Sequence, residues 1–384
     1  MRINLHEPTF GEEEIQAAVD VLRSTNVTSG EKVREFESLF GPYSVMCNSG
    51  SSANLLAIAC LCNPLTENSL SQGDEVIVSA LSWATTVWPL VQYGLVPVIV
   101  DINPDTLNID PNEIKKAIGP RTRAIMPVHV YGNPCDMEAI NKIAEDNNLI
   151  IIEDCCEALG ADVGNSAFNT YSFYFSHHIT TLEGGIVTCQ TEEHADMLRT
   201  LRAHGWTREQ VNRQHHEGID DKFLFVNAGY NLRSSEVNAA IGLVQHRKLD
   251  GFVKQRCKIA NILKDIMSNY DEYLTTQKDV GSSWFGFPII THRFRTVGRN
   301  IHLTERIFSF HLREHLEKDG IETRAIICGN IAKQPGIKLW PHRVVGELKN
   351  ADHVMKNGFS IPCHQGMTDC TEIEKSLEAY YGRA

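Results

Sequence analysis

The sequence predicts an α/β protein built on a mainly parallel β-sheet. Short apolar stretches at 76–78 and 150–152 have the composition of buried strands. Between such stretches lie segments with helical spacing of apolar residues, for example 137–148. Polar residues follow the strands directly, as Glu153 and Asp154 do. Because α/β proteins bind ligands beyond the carboxyl ends of their strands, such residues are candidates for a functional site.

Length and charge limit the classes of function. A chain of 384 residues is long enough for about two domains of ~150 residues each. The net charge is −12 and no basic stretch occurs, so we expect no nucleic-acid partner. The first residues do not form a signal peptide, and no run reaches the ~18 apolar residues of a membrane helix. We therefore expect no membrane association and a cytoplasmic location.

The eleven cysteines are expected to be buried, reduced thiols, because most lie in or near apolar stretches. No CxxC pair occurs, so no metal site is expected. The histidine-rich stretch at 208–223 is interpreted as a solvated loop rather than a metal site.

The first half of the chain begins with helical patterns at 11–24 and 33–41. Residues 45–61 then combine a short strand, the turn NSGSS and an apolar helix. The free N–H groups of a helix N-terminus bind anions, which makes this turn a candidate phosphate site. Such helix starts are common, so the pattern alone leaves an ordinary helix start open.

Three further strands are predicted within 74–86, 94–110 and 123–138. The first ends in a loop with Trp83, which is either a core aromatic or a ligand contact. A fourth strand, at 149–160, ends at Asp154. A carboxylate there either caps the next helix or receives a buried cation, because an unpaired buried charge is costly.

The segment SFYFSHHITTLEGG, 172–185, predicts a strand, a turn and a second strand. Together with NSGSSANL, the strand at 149–160 and GYNLR at 229–233, it resembles the DegT/DnrJ/EryC1/StrS family of sugar aminotransferases. In that family a lysine that binds pyridoxal phosphate (PLP) stands five residues after the serine. In this sequence the position is occupied by His177. With histidine in place of lysine, the sequence resembles the branch of 3-dehydratases that act on GDP-4-keto-6-deoxy-D-mannose.

The resemblance implies a fold-type I, aspartate-aminotransferase-like structure. We expect a mixed, mainly parallel seven-stranded sheet in a large cofactor-binding domain (1–250) and a smaller α/β domain (251–384). It also implies a homodimer with shared active sites, because Asn231 of one subunit would reach the phosphate bound by the other. The cofactor residues that the resemblance implies are Gly50, Ser51, Ser52 and Ser172 at the phosphate, Trp83 stacked on the ring, Asp154 at the pyridinium nitrogen, Glu157 near the phenolic oxygen, and Asn231.

The resemblance further implies a catalytic role for His177, while His178 points away. Imidazole has an unperturbed pKa of ~6.5, which suits proton transfer near neutral pH. The expected activity is PLP- and pyridoxamine-phosphate (PMP)-dependent C3 dehydration of a GDP- or CDP-linked 4-keto-6-deoxyhexose, with glutamate as amino donor. Residues assigned to substrate binding are His204, Arg233 and Arg324.

Three alternatives remain open. The chain could be a sugar aminotransferase with an unusual base, or a non-catalytic member that lost its lysine. It could also be a dehydratase that uses a [2Fe–2S] cluster and a reductase. No iron–sulfur cluster is expected, because the cysteines after residue 250 contain no CxC pair; they are Cys257, Cys328, Cys363 and Cys370.

Overall fold

The computed structural model describes residues 2–7, 9–291 and 305–382. The helices in these ranges are α1 (Glu12–Ser24), α2 (Glu31–Ser38), α3 (Gly50–Leu61), α4 (Ala84–Gln92), α5 (Pro111–Ala117), α6 (Met137–Asn147), α7 (Glu192–Arg202), α8 (Glu236–Ser268), α9 (Glu305–Lys318), α10 (Lys349–Asn357) and α11 (Thr371–Tyr381). The strands are β1 (Ser44–Cys47), β2 (Glu75–Ser79), β3 (Val96–Val100), β4 (Thr122–Met126), β5 (Ile150–Asp154), β6 (Phe168–Ser172), β7 (Gly185–Cys189), β8 (Leu274–Thr276), β9 (Phe287–Thr291), β10 (Arg343–Val344) and β11 (Gly358–Ile361).

The large sheet has the strand order β1-β7-β6-β5-β4-β2-β3-β10. Its central pairs are parallel, and β7 runs antiparallel to both β6 and β1. The prediction of a mixed, mainly parallel sheet is therefore confirmed. The sheet has one strand more than the seven expected, because two residues of β10 pair with β3. The Arg343 guanidinium fixes this edge by donating to Glu75 Oε2 (2.7 Å).

Helices cover both faces of the large sheet. Val78 and Met126 pack with α3, α4 and α7 on one face. Ile77 and Ile125 pack with α5 and α6 on the other. Strands with two covered faces consist of continuous apolar residues rather than alternating ones. This explains why the strand at 76–78 was recognisable in the sequence.

The C-terminal part contains a second sheet, in the order β11-β9-β8. Its core packs against α8, α9 and α11. Helix α8 runs through residue 250 without interruption, so the division into domains 1–250 and 251–384 stays a prediction. The N-terminal segment crosses to this part of the molecule, where Ile3 bridges Ile321.

All eleven cysteines carry free thiols, and seven of them are buried. The expectation of reduced thiols is confirmed, and burial holds for those seven. Among the helices of the described ranges, none is long and apolar enough to cross a membrane.

Candidate active site

A cavity of about 260 Å³ opens at the carboxyl ends of the central strands. Residues that follow β2, β4 and β5, together with the end of β6, form one side of it. The C-terminal part supplies the opposite side, including Phe285. Eight of the predicted site residues line this cavity: Gly50, Ser51, Trp83, Asp154, Glu157, Ser172, His177 and Arg324.

The first turn of α3 forms one wall of the cavity. Ser49 caps the helix, accepting the Ser52 N–H on its hydroxyl (3.1 Å) and the Ala53 N–H on its carbonyl (3.0 Å). The N–H groups of Gly50 and Ser51 have no carbonyl acceptor within the helix and are available to an anion. This geometry is that of a phosphate-binding helix start.

Ser52 does not line the cavity, although it was assigned to the phosphate site. Its hydroxyl donates to Asn48 Oδ1 (2.6 Å) and lies 3.0 Å from the Ser49 hydroxyl. The side chain therefore stabilises the turn before α3. Its backbone N–H is likewise occupied by the cap. The structure places Ser52 behind the candidate phosphate site.

Two glycines allow the start of α3 to lie directly against β6 and β7. A Cβ on Gly50 would lie 2.5 Å from Ser172 Cβ, and a Cβ on Gly185 would overlap the Ser49 carbonyl. Real Cβ atoms do not make contacts this short. Glycine is required at both positions, and Ser172 is brought next to the free N–H groups. Two backbone donors and one hydroxyl thus converge, which fits a phosphate group.

Asp154 is buried at the end of β5 and is held from three directions. Its Oδ2 accepts the Asn54 amide (2.9 Å) and the Thr86 hydroxyl (2.7 Å). Its Oδ1 accepts the Cys156 N–H (3.2 Å). These donors come from α3, α4 and the turn after β5. The carboxylate is therefore fixed at the floor of the cavity, where a cationic ring nitrogen could pair with it.

His177 lies in the cavity with its ring stacked on Phe285, at a centroid distance of 4.8 Å and an angle of 29°. Burial lowers the pKa of His177 to about 3, with a further contribution from the positive charges of Arg256 and Arg324. The imidazole is therefore neutral at physiological pH, with a lone pair on one ring nitrogen, and it is a weaker base than the unperturbed imidazole expected from the sequence. His178 does not line the cavity, and its Nε2 bonds to the Ser283 carbonyl (3.0 Å). The prediction that His178 points away is confirmed.

Glu157 follows Asp154 by less than one helical turn and also faces the cavity. Its Oε2 accepts the Tyr131 N–H (2.8 Å). Burial raises the pKa of Glu157 to about 7, and the neighbouring Asp154 acts in the same direction. This carboxyl group therefore changes charge near neutral pH.

Trp83 and Arg324 form the exposed edge of the cavity. Trp83 is 47% exposed, which is unusual for a core aromatic and leaves a ring face available for stacking. The Arg324 guanidinium lies 5.9 Å from the Trp83 ring centroid. Its backbone pairs with Ser360. An exposed guanidinium at the mouth of a cavity can bind an anionic group.

Besides Ser52, three predicted residues do not reach the His177 cavity within one chain. Asn231 and Arg233 line a second cavity, which shares Glu183 with the first. His204 lines neither cavity, and its Nε2 lies 3.2 Å from Arg233 Nη2. The roles assigned to these residues stay predictions. The stretch 208–223 next to them is largely exposed, and His215 bonds to Asp221 (2.7 Å), as a solvated loop would.

Sequence reasoning missed several residues that line the cavity or position its walls. The contact between Phe285 and His177 was not predicted from the sequence. Arg256 is fully buried, and its Nη1 donates to the carbonyls of Trp284 (2.9 Å) and Phe285 (3.1 Å), which positions that loop. His6 carries no sequence signal, because a single histidine near the N-terminus belongs to no motif. Other lining residues that were not predicted include Tyr131, Tyr174, Ser176, Glu183 and Ser360.

Comparison with known proteins agrees with this geometry. The chain is 39% identical to a GDP-4-keto-6-deoxy-D-mannose 3-dehydratase of Yersinia pseudotuberculosis, over 97% of this chain and 96% of the relative. It is similar to the Escherichia coli GDP-4-keto-6-deoxy-D-mannose-3-dehydratase with bound hydrated PLP, with a TM-score of 0.89, 37% identity and 99% of each chain covered. A structure of a GDP-4-keto-6-deoxymannose-3-dehydratase with a trapped PLP-glutamate geminal diamine also has a TM-score of 0.89, at 36% identity over 97% of this chain and 99% of the other.

These neighbours share the fold of PLP-dependent aminotransferases. The family model of the DegT/DnrJ/EryC1/StrS aminotransferases matches residues 8–376. The resemblance stated from the sequence is thereby confirmed. The chain belongs to the DegT/DnrJ/EryC1/StrS aminotransferase family.

Proposed function

We propose that this chain catalyses the C3 dehydration of a GDP-linked 4-keto-6-deoxyhexose, with PLP and PMP as its cofactor forms and glutamate as amino donor. One observation carries the proposal: His177, which the resemblance assigns to the position of the family's lysine, lines the cavity, and no lysine lines the cavity as described. The site therefore lacks the amine that tethers the cofactor in aminotransferases. Relatives with 3-dehydratase activity are similar over nearly the whole chain.

Retention of an untethered cofactor depends on the residues that surround it. We assign the phosphate to the N–H groups of Gly50 and Ser51 and to the Ser172 hydroxyl. The buried Asp154 carboxylate receives the pyridinium nitrogen, and Trp83 presents its ring face. Each assignment matches one polar or aromatic feature of the cofactor to one feature of the cavity.

When bound, PMP supplies an amine for the substrate ketone and a conjugated ring that accepts electrons. His177 lines the cavity as a neutral imidazole, and the lone pair of one ring nitrogen can accept a proton from the cofactor methylene carbon. It can return a proton to the C3 oxygen of the hexose as that oxygen leaves. The stacking contact with Phe285 fixes the position of the imidazole for both proton transfers.

The overall reaction balances in atoms and electrons. The hexose loses its C3 hydroxyl oxygen and gains two electrons. Glutamate supplies these electrons as it is oxidised to 2-oxoglutarate, and its nitrogen leaves as ammonia. No external reductase or iron–sulfur cluster is needed in this scheme.

The assembly we propose is a cytoplasmic homodimer. Asn231 and Arg233 lie outside the His177 cavity of their own chain, as residues that complete a neighbouring site would. Glu183 borders both cavities, so the two regions adjoin.

The proposal is tested by following the absorbance of the purified protein. After addition of PLP, glutamate should remove the free-aldehyde band, and GDP-4-keto-6-deoxymannose should restore it. The product should be a keto-sugar nucleotide lighter by one oxygen. A stable amino-sugar product would identify an aminotransferase instead. Lack of any spectral response would support a non-catalytic protein, and dependence on bound iron would support the cluster-dependent mechanism.

A further inference from the structure

His6 is carried into the cavity by an N-terminal segment whose backbone is fixed to the C-terminal part of the chain. Its position is therefore set by the bonds of its neighbours rather than by its own side chain. These bonds are Ile3 N–H to the Gly320 carbonyl (2.8 Å), Glu322 N–H to the Ile3 carbonyl (3.0 Å), Leu5 N–H to Glu322 Oε2 (3.1 Å) and His364 Nε2 to the Asn4 carbonyl (3.1 Å).

Both ring nitrogens of His6 are buried and have no hydrogen-bond partner among the described residues. A neutral imidazole offers one donor and one acceptor, and buried polar groups are nearly always paired. His364, which contacts the same N-terminal segment, shows the usual pattern. Its Nε2 bonds to the Asn4 carbonyl and its Nδ1 accepts the Gly366 N–H (3.2 Å). A purely structural histidine would be satisfied in this way.

The ring neighbours of His6 are aromatic and offer no conventional hydrogen bond. Phe285 lies at a centroid distance of 5.5 Å, and Phe175 contacts the His6 ring by its edge at 6.5 Å. Phe285 is also the ring on which His177 stacks. The two histidines therefore lie in one cavity and contact one phenyl ring. Burial lowers the pKa of His6 to about 3, so the ring is neutral and keeps both a donor and an acceptor.

We propose that His6 binds the hexose of the substrate directly, donating a hydrogen bond to one hydroxyl and accepting one from a neighbouring hydroxyl. This inference rests on the proposed function. The phosphate and the pyridinium nitrogen of the cofactor are already assigned to the start of α3 and to Asp154. A sugar carries adjacent hydroxyls, each both donor and acceptor, which complement a neutral imidazole with two free nitrogens.

The test compares His6→Phe with His6→Asn in the PLP form, which has no amine to react with the ketone. Calorimetry measures the affinity for GDP-4-keto-6-deoxymannose and for GDP alone. Loss of two hydrogen bonds should weaken binding of the sugar nucleotide by about 10- to 100-fold in His6→Phe. Binding of GDP should stay within about twofold of the wild type, because GDP lacks the hexose. His6→Asn should lose less affinity for the sugar nucleotide, because the asparagine amide can also donate and accept a hydrogen bond.

The matched control is His194→Phe. His194 is partly buried, its ring lies 5.0 Å from that of Phe168, its Nδ1 is unpartnered, and it lines neither cavity described above. This variant should leave both affinities unchanged. A second readout follows the two half-reactions by absorbance. In His6→Phe the aldehyde band should return more slowly after addition of the keto-sugar. The rate at which glutamate removes the band should stay within about twofold of the wild-type rate.

Unchanged affinity for the sugar nucleotide in His6→Phe would overturn the proposal. An equal loss of GDP affinity, or an equal slowing of the glutamate half-reaction, would also overturn it, because the defect would then not be specific to the hexose. Failure of the proposed function has a different signature. The wild type would then bind the sugar nucleotide without forming a product lighter by one oxygen.

Discussion

At the scale of single residues, burial determines the charge of the groups in the cavity. His177 is kept neutral, whereas Glu157 is kept protonated up to about pH 7. A sequence motif can identify such residues but cannot give their protonation, because burial is a property of the folded chain. The cavity thus contains a neutral imidazole and a carboxyl group that titrates near neutral pH.

Glu157→Gln should make the protein more stable relative to the wild type as pH rises. The pKa of Glu157 is raised from 4.5 to about 7 in the fold, so the unfolded chain ionises first. The wild type loses stability relative to the variant between about pH 4.5 and 7, on the order of 1–3 kcal/mol, and the difference is constant above that window. Urea unfolding at pH 4, 6 and 8 measures this difference in the free energy of unfolding between the variant and the wild type. A difference that does not depend on pH would contradict the assignment.

The sequence indicated site residues best where a motif fixed the register. Asp154 and His177 both line the cavity, and strand ends and a strand–turn–strand frame had marked them in the sequence. Ser52 was misplaced because its hydroxyl bonds within the turn before α3, a choice that the motif does not encode. His6 was missed because backbone bonds to a distant part of the chain bring it into the cavity.

At the scale of elements, the site depends on how closely α3 approaches β6 and β7. The glycine turn was recognised in the sequence as a candidate anion site, and the structure adds the reason for its glycines. Gly50 faces Ser172, and Gly185 faces the Ser49 carbonyl. A side chain at either position would separate the helix start from the strands.

Gly50→Ala should weaken cofactor binding by about 10-fold or more, because the added methyl group displaces Ser172 from the helix start. Spectral titration with PLP measures the affinity. Gly251→Ala is the matched control, since a Cβ there meets nothing within 4 Å. The control should bind PLP normally and gain about 0.5–1 kcal/mol of stability from the better helix former in α8. Normal PLP affinity in Gly50→Ala would argue against a phosphate at this helix start.

At the scale of the whole molecule, the central sheet could be predicted because both of its faces are covered. Its strands are short, continuous and apolar, and helices separate them in the sequence. Strand β10 could not be predicted, because two residues make a strand only when an edge is already present. The N-terminal segment crosses to the C-terminal part through the bridge between Ile3 and Ile321 and through bonds to Glu322 and His364. These partners are more than 300 residues away in the chain, so a local pattern gives no signal for them.

A mixed-subunit experiment tests whether active sites are shared in a dimer. His177→Asn and Arg233→Ala should each impair the homodimer. Mixed dimers would contain one site with an intact His177 from one subunit and an intact Arg233 from its partner. Random mixing should then recover about a quarter of wild-type activity, because about half of the dimers are mixed and each has one complete site. No recovery after unfolding and joint refolding would mean that Arg233 serves its own chain.

The most direct test of the central claim compares the products of the wild type and of His177→Lys. Both proteins receive PLP, glutamate and GDP-4-keto-6-deoxymannose, and the sugar nucleotides are identified by mass. The wild type should form a keto-sugar lighter by one oxygen. His177→Lys should lose this product and should hold PLP covalently after borohydride reduction, because an amine then occupies the site. Undiminished C3 dehydration by His177→Lys would contradict the conclusion that histidine at this position determines the reaction.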